Sequence, residues 1–531
     1  NAMNGEDFAK YLPLAPDGAT FYVAEGTYKP VYGVNLNVPS KTSDLCYAIN
    51  SNVTIRGGYP ADAKGKDVPS APKKYKTIFN GDINGDDEIA ETLDVDYLIV
   101  SASNRKDNSS HMFFSISQKE LHVGFDGILV KSSERAVSIP YPDKYVKISN
   151  SEFIYNDYAV HMPSQRENLE VYNSKFLKNF SRVIDMPNAF NLIMDSIRFE
   201  NNQKCLVYIN VTSGENIIVR LNRIYAYANG DNSEIIYSVG HDFSLLNSEF
   251  KNNKGNLFLI NNTRIDSTVF LNNKCDGTFI YNSKHKMDAS EYFSITNSFF
   301  KNVESSGFIW SSTDSINITR SEMSGLTNGY IDLRIYKIAV LNECNIHDNN
   351  THFEFIGAKT YLSKNTISNN VADVYASKYE LISFSGSTIS GAVLTNNTIT
   401  SNNCPILMCL HGSSTILYNN DIIGNVSSDT SNKYLIHADP GELKLTGNII
   451  LGNFPEIIIS RWSSYSYKDN ILPRIQVAGA NSTDEPLDQS LLSDNIFSIF
   501  DFSDDILVDI LMIGKKVEQD NIDSAIEDIV T

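Results

Sequence analysis

The chain has 531 residues, with 44 Lys+Arg against 63 Asp+Glu and a formal net charge of −19. At 42% hydrophobic, with 27 Phe and 28 Tyr, it can bury a long core, which excludes a disordered chain. The acidic balance excludes a nucleic-acid partner, which demands dense Lys and Arg, and no run of 18 apolar residues announces a membrane-spanning helix.

From the N-terminus, Asn1-Ala2-Met3 reads as a cloning remnant, so any export signal or lipid anchor lies upstream of it. The next phrases are Ala19-Thr-Phe-Tyr-Val-Ala-Glu-Gly-Thr-Tyr-Lys29 and Asn52-Val-Thr-Ile-Arg-Gly-Gly-Tyr-Pro60. After a polar insert come Thr77-Ile-Phe-Asn-Gly-Asp-Ile-Asn-Gly85 and Phe125-Asp-Gly-Ile-Leu129. This series resembles the opening coils of pectin-lyase-like right-handed β-helix proteins. It is especially similar to surface proteins of Gram-negative gut bacteria related to the polymorphic outer membrane family. The resemblance implies export and carbohydrate contact. Asp82-Ile-Asn-Gly-Asp-Asp-Glu-Ile-Ala90 spaces oxygen ligands as a calcium loop does. Asp87 stands where the turn needs Gly, however, and Leu93 where the closing Glu belongs. A solvated acidic turn is the expectation, calcium the weaker alternative, and no other metal or cofactor is indicated.

Beyond residue 130 one phrase returns many times. It reads Ile148-Ser-Asn-Ser-Glu-Phe153-Ile-Tyr-Asn156, then Leu245-Leu-Asn-Ser-Glu-Phe250-Lys-Asn-Asn253, then Leu417-Tyr-Asn-Asn-Asp-Ile422-Ile-Gly-Asn425. Taking Phe153, Phe176, Phe199, Ile224, Phe250 and so on to Ile450 as anchors, the spacings run from 20 to 32 residues. At the fourth anchor Tyr225 fits almost as well as Ile224. An apolar residue precedes each anchor by five, and polar residues often flank it, so the pattern is that of half-buried strands. The chain carries 58 Asn, many of them paired after the anchors. Short strands without crossover helices must stack on the next turn, where equivalent Asn side chains meet about 4.8 Å apart and form ladders. The expectation is an all-β, right-handed parallel β-helix of about 13 or more coils. Residues 4–130 would form opening coils, 131–475 the Asn-ladder repeats and 476–531 a short helical C-terminal cap. The cap rests on Leu491, Leu492, Ile496, Ile499 and Phe500 at helical spacing, followed by Ile506, Leu507, Ile510 and Leu511.

The six cysteines form no metal-ligand spacing. Cys205, Cys275 and Cys404 share one turn slot at least three coils apart, about 14 Å, too far for a disulfide. Small buried thiols are expected.

Counting outward from the anchors gathers one charged cluster on the early coils. Lys147 falls beside Glu170, and Tyr172, Asp195 and Arg220 follow in one column. Glu170 and Asp195 could serve as the carboxylate pair of a glycoside hydrolase, with Arg220 or Lys147 as the cation of a polysaccharide lyase. The plain alternative is a solvated row of alternating charges. Lys147, Tyr172, Tyr361 and Tyr418 are the candidate glycan-binding residues. The Asn-Thr-Asp, Asp-Asp and Gly-His-Gly series of polygalacturonase-like hydrolases is missing. The leading expectation is therefore a monomeric, secreted or cell-surface β-helix that binds a polysaccharide or host glycan without catalysis. A polysaccharide lyase or hydrolase is the alternative, and a passive stalk the second.

Overall fold

The computed structural model describes residues 5–33, 41–63, 68–94, 97–141, 143–210, 218–231, 233–240, 242–260, 262–283, 291–327, 329–372, 380–385, 391–411, 414–427, 434–439, 443–453, 457–461, 465–468, 470–472, 475–478, 484–485 and 496–497. By internal contacts it divides into two units, Asn1–Thr313 and Asp314–Thr531.

In the first unit each coil contributes three short strands, and each strand pairs in parallel with its counterpart one coil away. The first face stacks Leu121–Asp126, Lys144–Ser149, Glu167–Tyr172 and the start of Ala189–Glu200. The second stacks Leu129–Lys131, Glu152–Ile154 and Lys175–Leu177. The third stacks His111–Ser115, Arg135–Ser138, Tyr158–His161 and Ile184–Met186. These ladders are those of a three-sided parallel β-helix. The alternating pattern reads out directly: Val146 and Ile148 are buried, whereas Lys147 between them is exposed. Inside, Phe153 stacks on Phe176 at 5.1 Å and Phe176 on Phe199 at 5.2 Å.

The Asn pairs divide two tasks between neighbouring residues. Two residues after each anchor the backbone turns left-handed, as at Asn201, Asn252 and Asn272, with φ of 54°, 54° and 51°. The next residue, Asn202, Asn253 or Asn273, is buried and forms the ladder. In unit 1 that ladder runs Asn156, Asn179, Asn202, Asn229, Asn253, Asn273, each backbone N–H donating to the Oδ1 of the next at 3.0 Å. Each Nδ2 also donates to a carbonyl one coil back, as from Asn179 to Phe153 O at 3.1 Å. At the preceding corner unit 1 uses hydroxyls, with Ser151 N donating to Ser174 Oγ at 3.1 Å. In unit 2, after Ser321 and Cys344, the same slot is amide, Asn365, Asn397, Asn420, Asn448 and Asn470, beside a second ladder through Asn349, Asn370, Asn402, Asn425 and Asn453.

Two expectations need correction. The fourth anchor is neither Ile224 nor Tyr225 but Ala226, which pairs with Phe199 on one side and Phe250 on the other. A small residue fills this position, and Asn229, three residues on, marks the true register. The described helix lies at the N-terminus: Gly5–Tyr11 puts buried Phe8 against Phe21, Tyr47 and Phe79, covering aromatic core. Of the residues assigned to a helical C-terminal cap, Ile496 lies instead in a strand, Ile496–Phe497, parallel to Ile471–Leu472. Leu491, Leu492, Ile499, Phe500, Ile506, Leu507, Ile510 and Leu511 lie outside the described residues. All six cysteines are buried and free of disulfides.

Candidate functional site

Lys147, Glu170 and Tyr172 come together on the first face of unit 1. The Lys147 amine lies 3.9 Å from Glu170 Oε2 and 5.3 Å from the centre of the Tyr172 ring. The Tyr172 hydroxyl donates to Glu170 Oε2 at 3.1 Å. Tyr145, one coil earlier, also hydrogen-bonds Glu170, and burial together with that carboxylate pushes its phenol well above the usual value. Tyr172 is raised for the same two reasons.

Asp195 pairs with Tyr172 across the next coil boundary, but its cation is not Arg220. The shifted anchor moves Arg220 two positions back, opposite Ile193 and Ser244 and exposed to solvent. Arg223 takes the place expected of it, gripping Asp195 through Nε at 2.8 Å and through Nη2, while Asn222 Nδ2 donates at 2.9 Å. The Arg223 hydrogen bond holds the Asp195 carboxyl below the ordinary carboxylate range. Glu170 and Asp195 stand one coil and two residues apart, about 8 Å between Cα atoms. That spacing suits paired carboxylates, but Asp195 is held ionised by Arg223 and Glu170 is engaged by Lys147 and two phenols. Tyr361 and Tyr418 belong to unit 2, on strands two coils apart, Tyr418 being 44% exposed. The seven candidate residues therefore do not form one site.

A cleft that sequence reasoning missed opens at the corner between the first and second faces of unit 1. It measures about 700 Å³ and runs along the outward residues Leu129, Glu152, Lys175 and Arg198 of four successive coils. Ser151 and Ser174 line it, and its outer wall is Ala71, Pro72 and Lys73 from the polar insert. Close packing sets that wall: a Cβ on Gly127, at φ +67°, would meet Pro72 Cγ at 2.5 Å. Four cations (Lys73, Lys76, Lys175, Arg198) line the cleft against one carboxylate, Glu152. Glu152 lies 4.0 Å from both the Lys76 and the Lys175 amine. In a chain of net charge −19 this cleft has the opposite sign.

The third face carries an aromatic column: Tyr208, Tyr237, Phe258, Tyr281 and Trp310, with centroids 4.6–4.9 Å apart and rings within 15° of parallel. The Arg182 guanidinium covers the Tyr208 face at 3.7 Å and also binds Asp185, which pairs with His161 at 2.7 Å. Tyr237, Phe258 and Tyr281 each spend both ring faces on their neighbours, so the column presents edges and hydroxyls there.

The acidic turn brings oxygens of Asp82, Asp86 and Asp107 within 4.8 Å of one another. Asp82 is buried rather than solvated, because its Oδ1 accepts the Gly85 and Asp86 N–H groups at 2.6 and 3.2 Å. Asp107 Oδ2 accepts from Asn84 N at 3.1 Å, and the Lys29 amine donates to Ile83 O at 3.0 Å. The loop is thus closed by its own backbone, with a lysine already beside it.

No known family matches the chain, and no curated protein is similar to it. Among solved structures it is similar to the Dettilon tailspike protein gp208, at 12% identity and a TM-score of 0.21. That match covers 63% of this chain and 60% of the tailspike chain. A mutant of the PL6-family alginate lyase AlyGC matches at 9% identity and 0.21, over 92% of this chain and 98% of that one. The A-module of the Azotobacter vinelandii mannuronan C-5 epimerase AlgE4 matches over the same shares at 12% and 0.16. At these scores the likenesses assign neither ligand nor activity, and the parallel β-helix rests on the strand ladders themselves.

Proposed function

We propose that this chain is a secreted or cell-surface β-helix, right-handed as in the pectin-lyase-like proteins, that binds an extended acidic glycan without cleaving it. The observation that carries the reading is the cation-lined cleft along four coils of an otherwise acidic protein. Its length, three coil steps or about 14 Å, suits a chain laid parallel to the axis. Lysine amines there offer donors to carboxylates or sulfates, and charge of the opposite sign speeds the encounter. Lys76 and Lys175 each hold Glu152 only at 4.0 Å and would exchange that weak contact for a carboxylate or sulfate of the ligand. A single carboxylate does not supply the two that glycoside hydrolysis requires.

Calorimetric titration with polygalacturonate, alginate and neutral dextran tests the reading, with absorbance at 235 nm followed in parallel. Saturable binding of the acidic polymers only, weakened by salt and abolished in Lys76→Glu/Lys175→Glu, is the expected result. Binding unaffected by the double substitution would overturn it. A lyase is the second reading, favoured by two lysine amines inside the cleft, and rising absorbance at 235 nm would put it first.

A further inference from the structure

We propose that Glu152 sets what the cation-lined cleft accepts: it is a built-in counter-ion that turns away isolated anions and yields to a glycan carrying acidic groups on successive sugars. The inference rests on the cleft being the ligand site.

What separates Glu152 from the carboxylates of the first face is how it is held. Asp126 accepts from Ser149 Oγ at 2.9 Å and from Asn150 Nδ2 at 2.8 Å. Asp266 accepts from Thr296 Oγ1 at 2.8 Å and from Asn297 Nδ2 at 2.9 Å. Like Asp195, these acids are tied to the next coil by hydrogen bonds and serve the stack. The Glu152 carboxylate makes no hydrogen bond among the described residues. Its Oε2 stands 4.0 Å from the Lys76 amine and 4.0 Å from the Lys175 amine, beyond hydrogen-bond reach, so charge alone holds it. Pairs of this kind between partly exposed groups contribute little to the fold.

The cations around it are not arranged for stability either. Lys76 enters just before the strand Thr77–Asn80, whereas Lys175 opens the strand one coil after Glu152. Lys175 and Arg198 stand directly opposite each other on adjacent strands, a like-charge pairing that costs stability. Arg198 keeps Glu200 as its own partner, and Lys73 on the wall has no ion-pair partner among the described residues.

These contacts decide what binding can gain. A lone carboxylate that enters between Lys76 and Lys175 merely replaces one carboxylate by another. Its rival is tethered, with an effective concentration on the order of millimolar, so the exchange favours the empty cleft. A glycan with charges on successive sugars makes the same exchange at one sugar. Its neighbouring groups then reach Lys73 on the wall and Arg198 one coil beyond Lys175, about 4.8 Å further along. Only such a ligand adds cation contacts to those the protein already satisfies.

Titration calorimetry of the full chain and of Glu152→Gln tests this, with galacturonate monomer, trimer and hexamer and a randomly half-esterified polygalacturonate as probes. Gln keeps the shape of Glu and breaks no side-chain hydrogen bond, so the fold is not at risk. The unsubstituted protein is expected to bind the hexamer well, and the monomer and the esterified polymer poorly. Removing one charge about 4 Å from an exposed amine should tighten the hexamer about fivefold or more, and the esterified polymer by at least as much. Hexamer binding seen only in Glu152→Gln would support the inference as well. Affinities in Glu152→Gln within about twofold of the unsubstituted protein, or weaker, would overturn it and leave the cleft as the ligand site. A monomer that binds as tightly as the hexamer would overturn it too. Absence of binding by both proteins, to fully acidic polygalacturonate as well, would remove the cleft reading itself and this inference with it.

Discussion

Removing one rung of the Asn ladder in unit 1 tests whether amide stacking holds the coils together. Asn179 is fully buried and its side chain makes four hydrogen bonds. Its Nδ2 donates to Phe153 O at 3.1 Å and to Asn202 Oδ1 at 2.9 Å. Its Oδ1 accepts from Asn156 N at 3.0 Å and Asn156 Nδ2 at 3.3 Å. Asn179→Ala deletes all four and strands buried groups on both neighbouring coils. At about 1 kcal/mol net per bond the loss is about 4 kcal/mol, and more if the orphaned Asn156 N–H stays dry. A unit of about 300 residues unfolds with an entropy of about 0.6 kcal/mol/K, so the melting temperature should fall by about 6 °C. Because stability in stacked repeats is carried by nearest neighbours, hydrogen exchange should accelerate first in the strands around Phe153 and Phe199. Asn173→Gly is the matched control: its left-handed φ of 48° suits glycine and its side chain is exposed, so stability should hold or rise slightly. A fall of less than about 1 °C in Asn179→Ala would refute the argument that the ladder is energetically important.

Three further substitutions follow from the same geometry. Arg223→Ala should let Asp195 titrate nearer its ordinary range, and Arg220→Ala should not. A depressed carboxyl stabilises above its unfolded pKa and loses this as pH falls through the folded one, so only Arg223→Ala should move the acid-unfolding midpoint to higher pH. Lys144 and Glu167 are 1% and 0% exposed at the same inward position of adjacent coils, the Lys144 amine without a hydrogen-bond partner and the Glu167 carboxyl with no more than the Ser164 backbone beside it. Burial lowers the Lys144 amine and pushes the Glu167 carboxyl up to about 10. Lys144→Met/Glu167→Leu should therefore raise stability by about 1–4 kcal/mol in urea titration at pH 7, and destabilisation would contradict the reading. Burial pulls the His347 pKa down, but Asp348 at 2.7 Å and Glu322 at 3.2 Å outweigh it and hold the imidazole above its ordinary value. Its stabilisation is complete below the unfolded histidine pKa and is lost as pH rises through the folded one. Asp348→Asn should lower the His347 midpoint followed by NMR.

Much of this architecture was legible because, from Phe125 onward, nine residues of each coil keep one length. From Ile148 to Asn156 the order is strand, left-handed turn, buried ladder residue, three-residue strand, second left-handed turn and Asn, and the repeat recurs with that spacing. The misplaced coil shows what confuses such counting: Ala226 sits where neighbours have Phe, and apolar Ile224 two residues away keeps the same parity. Arg220 was drawn toward Asp195 by that slip alone. The cleft was invisible for another reason, since its wall comes from Ala71–Lys73, about 80 residues in sequence from Glu152. The aromatic column hid behind variable turns, Tyr208 following its anchor by nine residues, Tyr237 by eleven and Phe258 by eight.

The nine-residue module also decides where this protein tolerates change in length. A one-residue insertion within either strand between Ile148 and Asn156 would flip its later side chains to the wrong face and break step with both neighbouring coils. Beyond the ladder Asn the chain already takes detours of many sizes, the longest in unit 1 carrying the Glu88–Asp94 and Tyr97–Ser103 hairpin, and then rejoins in phase. New loops can therefore be grafted or lost at those corners without re-threading the rest. The segment that walls the cation-lined cleft is a different case: it enters between Val53–Tyr59 and Thr77–Asn80, at the corner of the first and second faces, and both strands still pair in register with the next coil, so ligand preference can be rewritten there as well.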